Sequence, residues 1–300
     1  MMWKQFSPAS NSGFTIIELL VASTLSLLVL ALVLSTSLTN KLVYQQDVVR
    51  TRINQNLRSA IDIIGMNMRQ AGEALPSFFP AIEVVNGTGG GSDQLILRRN
   101  LYENEILNIC QDLTAGTSTA NIRFAYQTSE IACAYSSELV AYLNTWLAYR
   151  TQQGGQAKAY VYNRSAKVGE LFTFDDGTDT GTELFIHRTA GNWAYDYPGD
   201  GLSAAMYLLE EYHFLLENGV LKLIQNGDNV NTLNIVDGIT DFQVAIHMQD
   251  DTTQYAFSAN DLWTSIKSLE ITLAGADMYA GKLISSSITD RLFPRNVLSH

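Results

Sequence analysis

From Phe14 to Leu34 the chain runs for 21 residues with one ionisable group, Glu18. The preceding stretch, residues 1–13 (MMWKQFSPASNSG), is short and polar and carries a single cation, Lys4. At about 1.5 Å per residue, a helix over the apolar run spans roughly 30 Å, the hydrocarbon thickness of a bilayer. A cleaved secretory signal has a shorter apolar core and fits less well. The positive-inside bias, resting on Lys4, puts the N-terminus in the cytoplasm and the bulk of the chain on the other side of the membrane.

Beyond a polar stretch, Ser35 to Lys41, apolar residues recur at Leu42, Val49, Ile53, Leu57, Ala60, Ile64, Met68 and Ala71 with a period near 3.6. Arg50, Arg52, Arg58, Asp62, Asn67 and Arg69 lie mostly off this stripe, so the helix is expected to bury one face against a sheet and solvate the other. Gly72 and Pro76 end the pattern, which predicts a helix from about Phe14 to Gly72, near 90 Å long at about 1.5 Å per residue if unbroken. Gly65 and the Ser/Thr-rich stretch after the membrane are places where it can bend.

From residue 77 onward, Gly and Asp/Asn clusters cut the chain into short segments. Between them, Gln94 to Leu97, Leu171 to Phe174, Glu183 to His187, Ala205 to Leu216, Val220 to Gln225, Phe242 to Met248 and Ser265 to Leu273 predict strands. Ser137 to Arg150 predicts a helix. Glu217-Asn218-Gly219 between two alternating runs is a hairpin signal, because Asn and Gly tolerate the positive φ of a tight turn.

Charge sharpens this division. Of 19 basic and 30 acidic residues, 6 and 4 lie before residue 74, leaving 13 against 26 downstream, so the two regions are +2 and −13. An acidic head without a basic stripe repels phosphate backbones, and no nucleic-acid partner is expected. Cys110 and Cys133 fall in that head, and the membrane topology puts them in an oxidising compartment, where a disulfide is the default and two buried thiols the alternative.

Glu18 demands a partner. A carboxylate inside an apolar span costs about 2.5 to 3.5 kcal/mol even on insertion scales. A cut after Gly13 would place the amine of Phe14 in the same apolar layer, where Glu18 of one subunit can neutralise the amine of its neighbour and set their register.

Gly13-Phe14-Thr15-Ile16-Ile17-Glu18-Leu19-Leu20 resembles the GFTLIEL signature of type IV pilins and type II secretion pseudopilins. The resemblance implies cleavage by prepilin peptidase between Gly13 and Phe14, N-methylation of Phe14, and a filament-packing role for Phe14 and Glu18. It implies an α+β, pilin-like fold: a leader over 1–13, a transmembrane and filament-core helix over 14–35, its amphipathic second half over 36–73, and a periplasmic antiparallel β-rich head over 74–300. Prolines that family members often carry about 22 and 42 residues into the mature chain are replaced here by Ser35 and Gln55, which favours a minor subunit.

Ala74-Leu75-Pro76, Leu216 to Leu221, Val236 to Val244 and Arg291 to Asn296 are similar to segments of the PilW family of minor type IV pilins, whereas residues 77–205 match no pattern. This resemblance implies membrane lipid before assembly, and then other minor pilins, the major pilin, prepilin peptidase and an inner-membrane assembly platform as partners. The J-type pseudopilin of a type II secretion system is the alternative, and a tip adhesin binding a surface ligand through residues 77–205 is another; Trp146, Trp193 and Trp263 are candidates for an adhesive surface. No cofactor, metal or catalytic activity is expected. His187, His213, His247 and His300 are scattered, and Asp175, Asp176, Asp179 and Glu183, the best calcium ligands available, depart from EF-hand spacing.

Overall fold

The computed structural model describes residues 15–299. Those residues fall into two compact units, one ending at Thr51 and the other beginning at Arg52. A single helix, α1 (Ile16–Gln70, 55 residues), contributes to both. It passes through Ser35, Gln55 and Gly65 without a break. Hydroxyls in the apolar run and in the polar stretch after it donate to carbonyls one turn back, Ser23 to Leu20 at 2.9 Å, Thr36 to Leu32 at 2.6 Å and Thr39 to Ser35 at 3.0 Å. Polar side chains that satisfy themselves this way can sit in an apolar span without an outside partner.

In the second unit the helical stripe is buried from Ile53 onward, through Leu57, Ala60, Ile61, Ile64 and Met68. It lies on strands that make room for it: the Cα of Gly275 faces Ile53 and Leu57, and Leu292 lies against Gly65. Gly72, at φ +80°, turns the chain out of the helix, and a side chain there would run into the Trp263 ring. The free carbonyls at this end are held from far along the chain, by Asn296 Nδ2 donating to Ala71 at 3.0 Å and Gln70 at 3.3 Å.

The head contains β1 (Ile82–Val85), β2 (Gln94–Asn100), β3 (Leu107–Asn108) and β4 (Asn121–Tyr126), then α2 (Ser137–Gln152). β5 (Ala157–Asn163), β6 (Val168–Asp179), β7 (Glu183–Arg188) and β8 (Ala204–Tyr207) follow. The rest is β9 (Leu209–Glu217), β10 (Val220–Gln225), β11 (Leu233–Asp237), β12 (Ile239–Met248), β13 (Thr253–Gln254), β14 (Ile266–Tyr279) and β15 (Lys282–Leu292).

These strands form three antiparallel sheets, ordered β1-β2-β9-β10-β11, β3-β8-β5-β6-β7-β4 and β13-β12-β14-β15. The third sheet carries the second half of α1. The fold class is therefore an α+β, pilin-like arrangement of a long N-terminal helix on antiparallel sheets.

β1, β3, β4, β5, β11 and β13 were not among the predicted strands, and two further details depart from the sequence pattern. The expected single strand over Ala205 to Leu216 is two, because the chain leaves the second sheet at Tyr207 and enters the first at Leu209. Ala204 through Leu209 are all buried, so this crossing is covered on both faces and hides the boundary. β15 was not expected at all, since its Ser-Ser-Ser run carries little apolar alternation, yet it pairs with β14 over its whole length. The Asn218-Gly219 turn has positive φ at both residues, 52° and 77°, and closes β9 onto β10 with Glu217 opposite Val220.

The second sheet has its own aromatic core. α2 starts at Ser136, whose Oγ accepts from the Leu139 amide at 3.3 Å, and buries Leu143, Trp146 and Tyr149 at three-residue spacing. Trp146 packs on Phe174 at 5.3 Å, and Trp193 bridges Phe172 and Tyr197 at 5.7 Å each.

Candidate functional site

Cleavage and methylation concern Gly13 and Phe14, which lie outside the described residues. The described site begins at Thr15. Glu18 Oε2 accepts from the Thr15 amide and from Thr15 Oγ1, both at 3.0 Å, while the Glu18 amide donates to Thr15 Oγ1 at 3.3 Å. This reciprocal pattern is a capping box, written in the sequence as Thr-Ile-Ile-Glu, and it closes the first turn of α1. In a single subunit the carboxylate is thus held by its own backbone. Around it, Ile16, Ile17, Leu19, Leu20 and the apolar residues through Leu34 are exposed, a surface with no protein cover. The helix is long and apolar enough to cross a membrane near the N-terminus.

Residues 8–34 match the family model of the prokaryotic N-terminal methylation motif. The chain carries a type IV pilin-like prepilin signal. The match covers the leader junction, the capping box and the apolar run together, and it supports a type IV pilin-like or pseudopilin-like protein whose exposed N-terminal helix is long and apolar enough to anchor it in a membrane. No curated protein and no solved structure matches the chain.

Cys110 and Cys133 are joined by a disulfide that ties the segment after β3 to the short helical turn after β4. Gly201, at φ +72°, passes directly over it, and a Cβ there would crowd the Cys133 sulfur and Ala132.

The acidic residues singled out for calcium are dispersed along the β6–β7 hairpin and separately engaged. Asp176 pairs with Arg150 at 3.2 Å, Glu183 with Arg123 at 3.0 Å, and Asp179 accepts from the Gly181 amide at 2.7 Å and from Tyr135 Oη at 3.0 Å. Among the described residues no group of three or more His, Cys, Asp or Glu is placed to hold a metal. Trp146, Trp193 and Trp263 are fully buried, which makes them core and leaves them no part in a surface.

A buried ionic cluster was missed in the sequence because its members are far apart there. Arg98, with a side chain 6% exposed, donates Nε to Glu211 at 2.7 Å and Nη1 to the Pro80 carbonyl at 2.8 Å, and pairs with Glu83 at 3.0 Å. Its guanidinium also lies over the Tyr160 ring at 5.2 Å, linking the first sheet to the second. Burial works against its charge, but Tyr160, Glu211 and Glu83 outweigh that and hold its pKa above the ordinary arginine value. Every one of these contacts is internal. The cluster fastens two sheets, and Glu83, Arg98 and Tyr160 also line a small cavity of about 230 Å³.

Proposed function

We propose that the protein is a minor pilin of the PilW type, which joins other minor pilins in priming assembly of a type IV pilus and acts by packing and docking, without turnover. The prepilin-type signal at residues 8–34, on a helix that continues into a large three-sheet head, is the observation that carries this reading. Ala74-Leu75-Pro76, the hairpin at Asn218-Gly219 and strand β12 fall where the resemblance to that family is found. After cleavage the head would lie in the periplasm, with the apolar half of α1 held first by lipid and then by neighbouring subunits. In the filament Glu18 exchanges its hold on Thr15 for the methylated amine of an adjacent Phe14.

The J-type pseudopilin of a type II secretion system shares the same signal and is the second reading. Deleting the gene and scoring surface pili alongside secreted enzymes separates the two. Loss of pili with intact secretion is expected, and a pure secretion defect would overturn the pilus reading.

A further inference from the structure

β15 is the outer strand of the third sheet, and its free edge is bare. It pairs with β14 without a bulge from Lys282 to Leu292, and among the described residues no backbone hydrogen bond joins its other side. On the other two sheets, β1 and β4 are covered edges. Val84 on β1 exchanges both backbone bonds with Phe257 at 2.9 Å, and on β4 the carbonyls of Arg123 and Tyr126 accept from Cys110 at 2.9 Å and Tyr135 at 3.0 Å. An open row of amides and carbonyls is a template for another strand, and proteins ordinarily blunt it with proline, bulges or charges. β15 has no proline and no bulge, and its middle, Leu283 to Thr289, carries no charge.

The charges at the two ends of that stretch are unmatched. Lys282 and Asp290 are exposed, on the strand face that also carries Ile284 and Ser286, and neither is in an ion pair with a described residue. The neighbouring charges are engaged, Asp277 by Arg52 and Arg291 by Glu270 at 2.8 Å. Around Ser286 the sequence reads the same in both directions, Ile284-Ser285-Ser286-Ser287-Ile288, flanked by Leu283 and Thr289 and then by Lys282 and Asp290. An antiparallel copy of β15 with Ser286 opposite Ser286 therefore sets Ile284 against Ile288 and Ser285 against Ser287. The same register sets Leu283, 61% exposed in the single chain, against Thr289, and Lys282 against Asp290 on both sides of the centre.

We infer that the free edge of β15 docks a second copy of this chain, by antiparallel β15–β15 pairing about a two-fold axis through Ser286 that joins two four-stranded sheets into one. A contact of this kind uses the same patch on both copies and closes on itself. The helices leave room for it. Ile53 and Leu57 of α1 lie over Gly275 on β14, and the two β14 strands would be three strand spacings apart, about 14 Å, where packed helices need about 8–10 Å. The axis stands perpendicular to the sheet and reverses the Arg52–Gln70 stretch of α1 from one copy to the other, which suits copies carried on facing surfaces.

Nanodiscs holding one full-length chain each keep the apolar parts of α1 apart, so that discs associate only through their heads. Sedimentation of the parent should show paired discs. Ser286→Cys should give a cross-linked dimer on oxidation, because directly opposed residues stand about 4.5–5.5 Å apart at Cα, within disulfide reach. Lys282→Asp and Asp290→Lys each set like charges against one another at both ends of the paired strands and should weaken pairing about tenfold. Mixed one to one, the two variants restore both opposite-charge pairs and should recover the parent's affinity, which a folding defect in either could not produce. Unpaired parent discs, parent-like affinity in either single variant, no recovery in the mixture, or no cross-link through Ser286→Cys would each overturn the inference. None of these outcomes bears on the pilus reading.

Discussion

Glu18 is the residue on which the N-terminal half turns. Its carboxylate serves the first turn of its own helix through Thr15, and that arrangement needs no second subunit. A charge held only by a capping box in an apolar layer remains costly, so a neighbouring amine would be a better partner once subunits meet. Glu18→Val should therefore leave membrane insertion and cleavage at Gly13-Phe14 largely intact while reducing incorporation beside neighbouring subunits severalfold. Cross-linking and pelleting of filament fractions read this directly, and normal incorporation of the variant would refute the pairing.

At the scale of elements, the segment between β3 and β4 and the short turn after β4 have little regular structure to hold them. The Cys110–Cys133 bond closes a loop with a sequence separation of 23. On the chain-entropy model a loop of that size contributes about 3 kcal/mol, chiefly by restricting the unfolded chain. Denaturant titration of the head with and without reductant should show a loss of that order, and a Cys110→Ala, Cys133→Ala double variant should match the reduced protein and no longer respond to reductant. An unchanged midpoint would show that packing around Gly201 already fixes the segment.

The head is built on three sheets, and a half-buried histidine on the first is expected to make its stability depend on pH. His213 on β9 sits 2.8 Å from Gln94 Oε1, on the strand face that also carries Glu211 beside Arg98. Burial pulls its pKa below the ordinary histidine value, opposed by Glu211, supported by Arg98 and opposed again by Glu83. The unfolded chain takes up a proton near pH 6.5 where the folded one resists it. Stability from this site is thus fully present above about pH 6.5 and is lost progressively as pH falls from there through the lower pKa of the folded state. Denaturation midpoints should drop between pH 7.5 and 5.5, and His213→Gln should narrow the drop. A variant with the parent's pH dependence would show that His213 is not the group responsible.

What the sequence by itself determined depends on neighbours along the chain: the apolar run of bilayer length, the helical stripe from Ile53 to Met68 and the Asn218-Gly219 turn. Each is encoded within one or two turns of helix or one hairpin, where spacing alone decides which side chains meet. Only the tertiary structure decided where distant segments join. It split Ala204 to Leu209 between two sheets, added the serine-rich β15 to the edge of another, turned three tryptophans into core, and gathered Arg98, Glu83, Glu211 and Tyr160 at one seam. Those outcomes depend on which surfaces remain to be covered after the local elements form, and an alternation pattern carries no record of that when both faces are buried or neither is apolar.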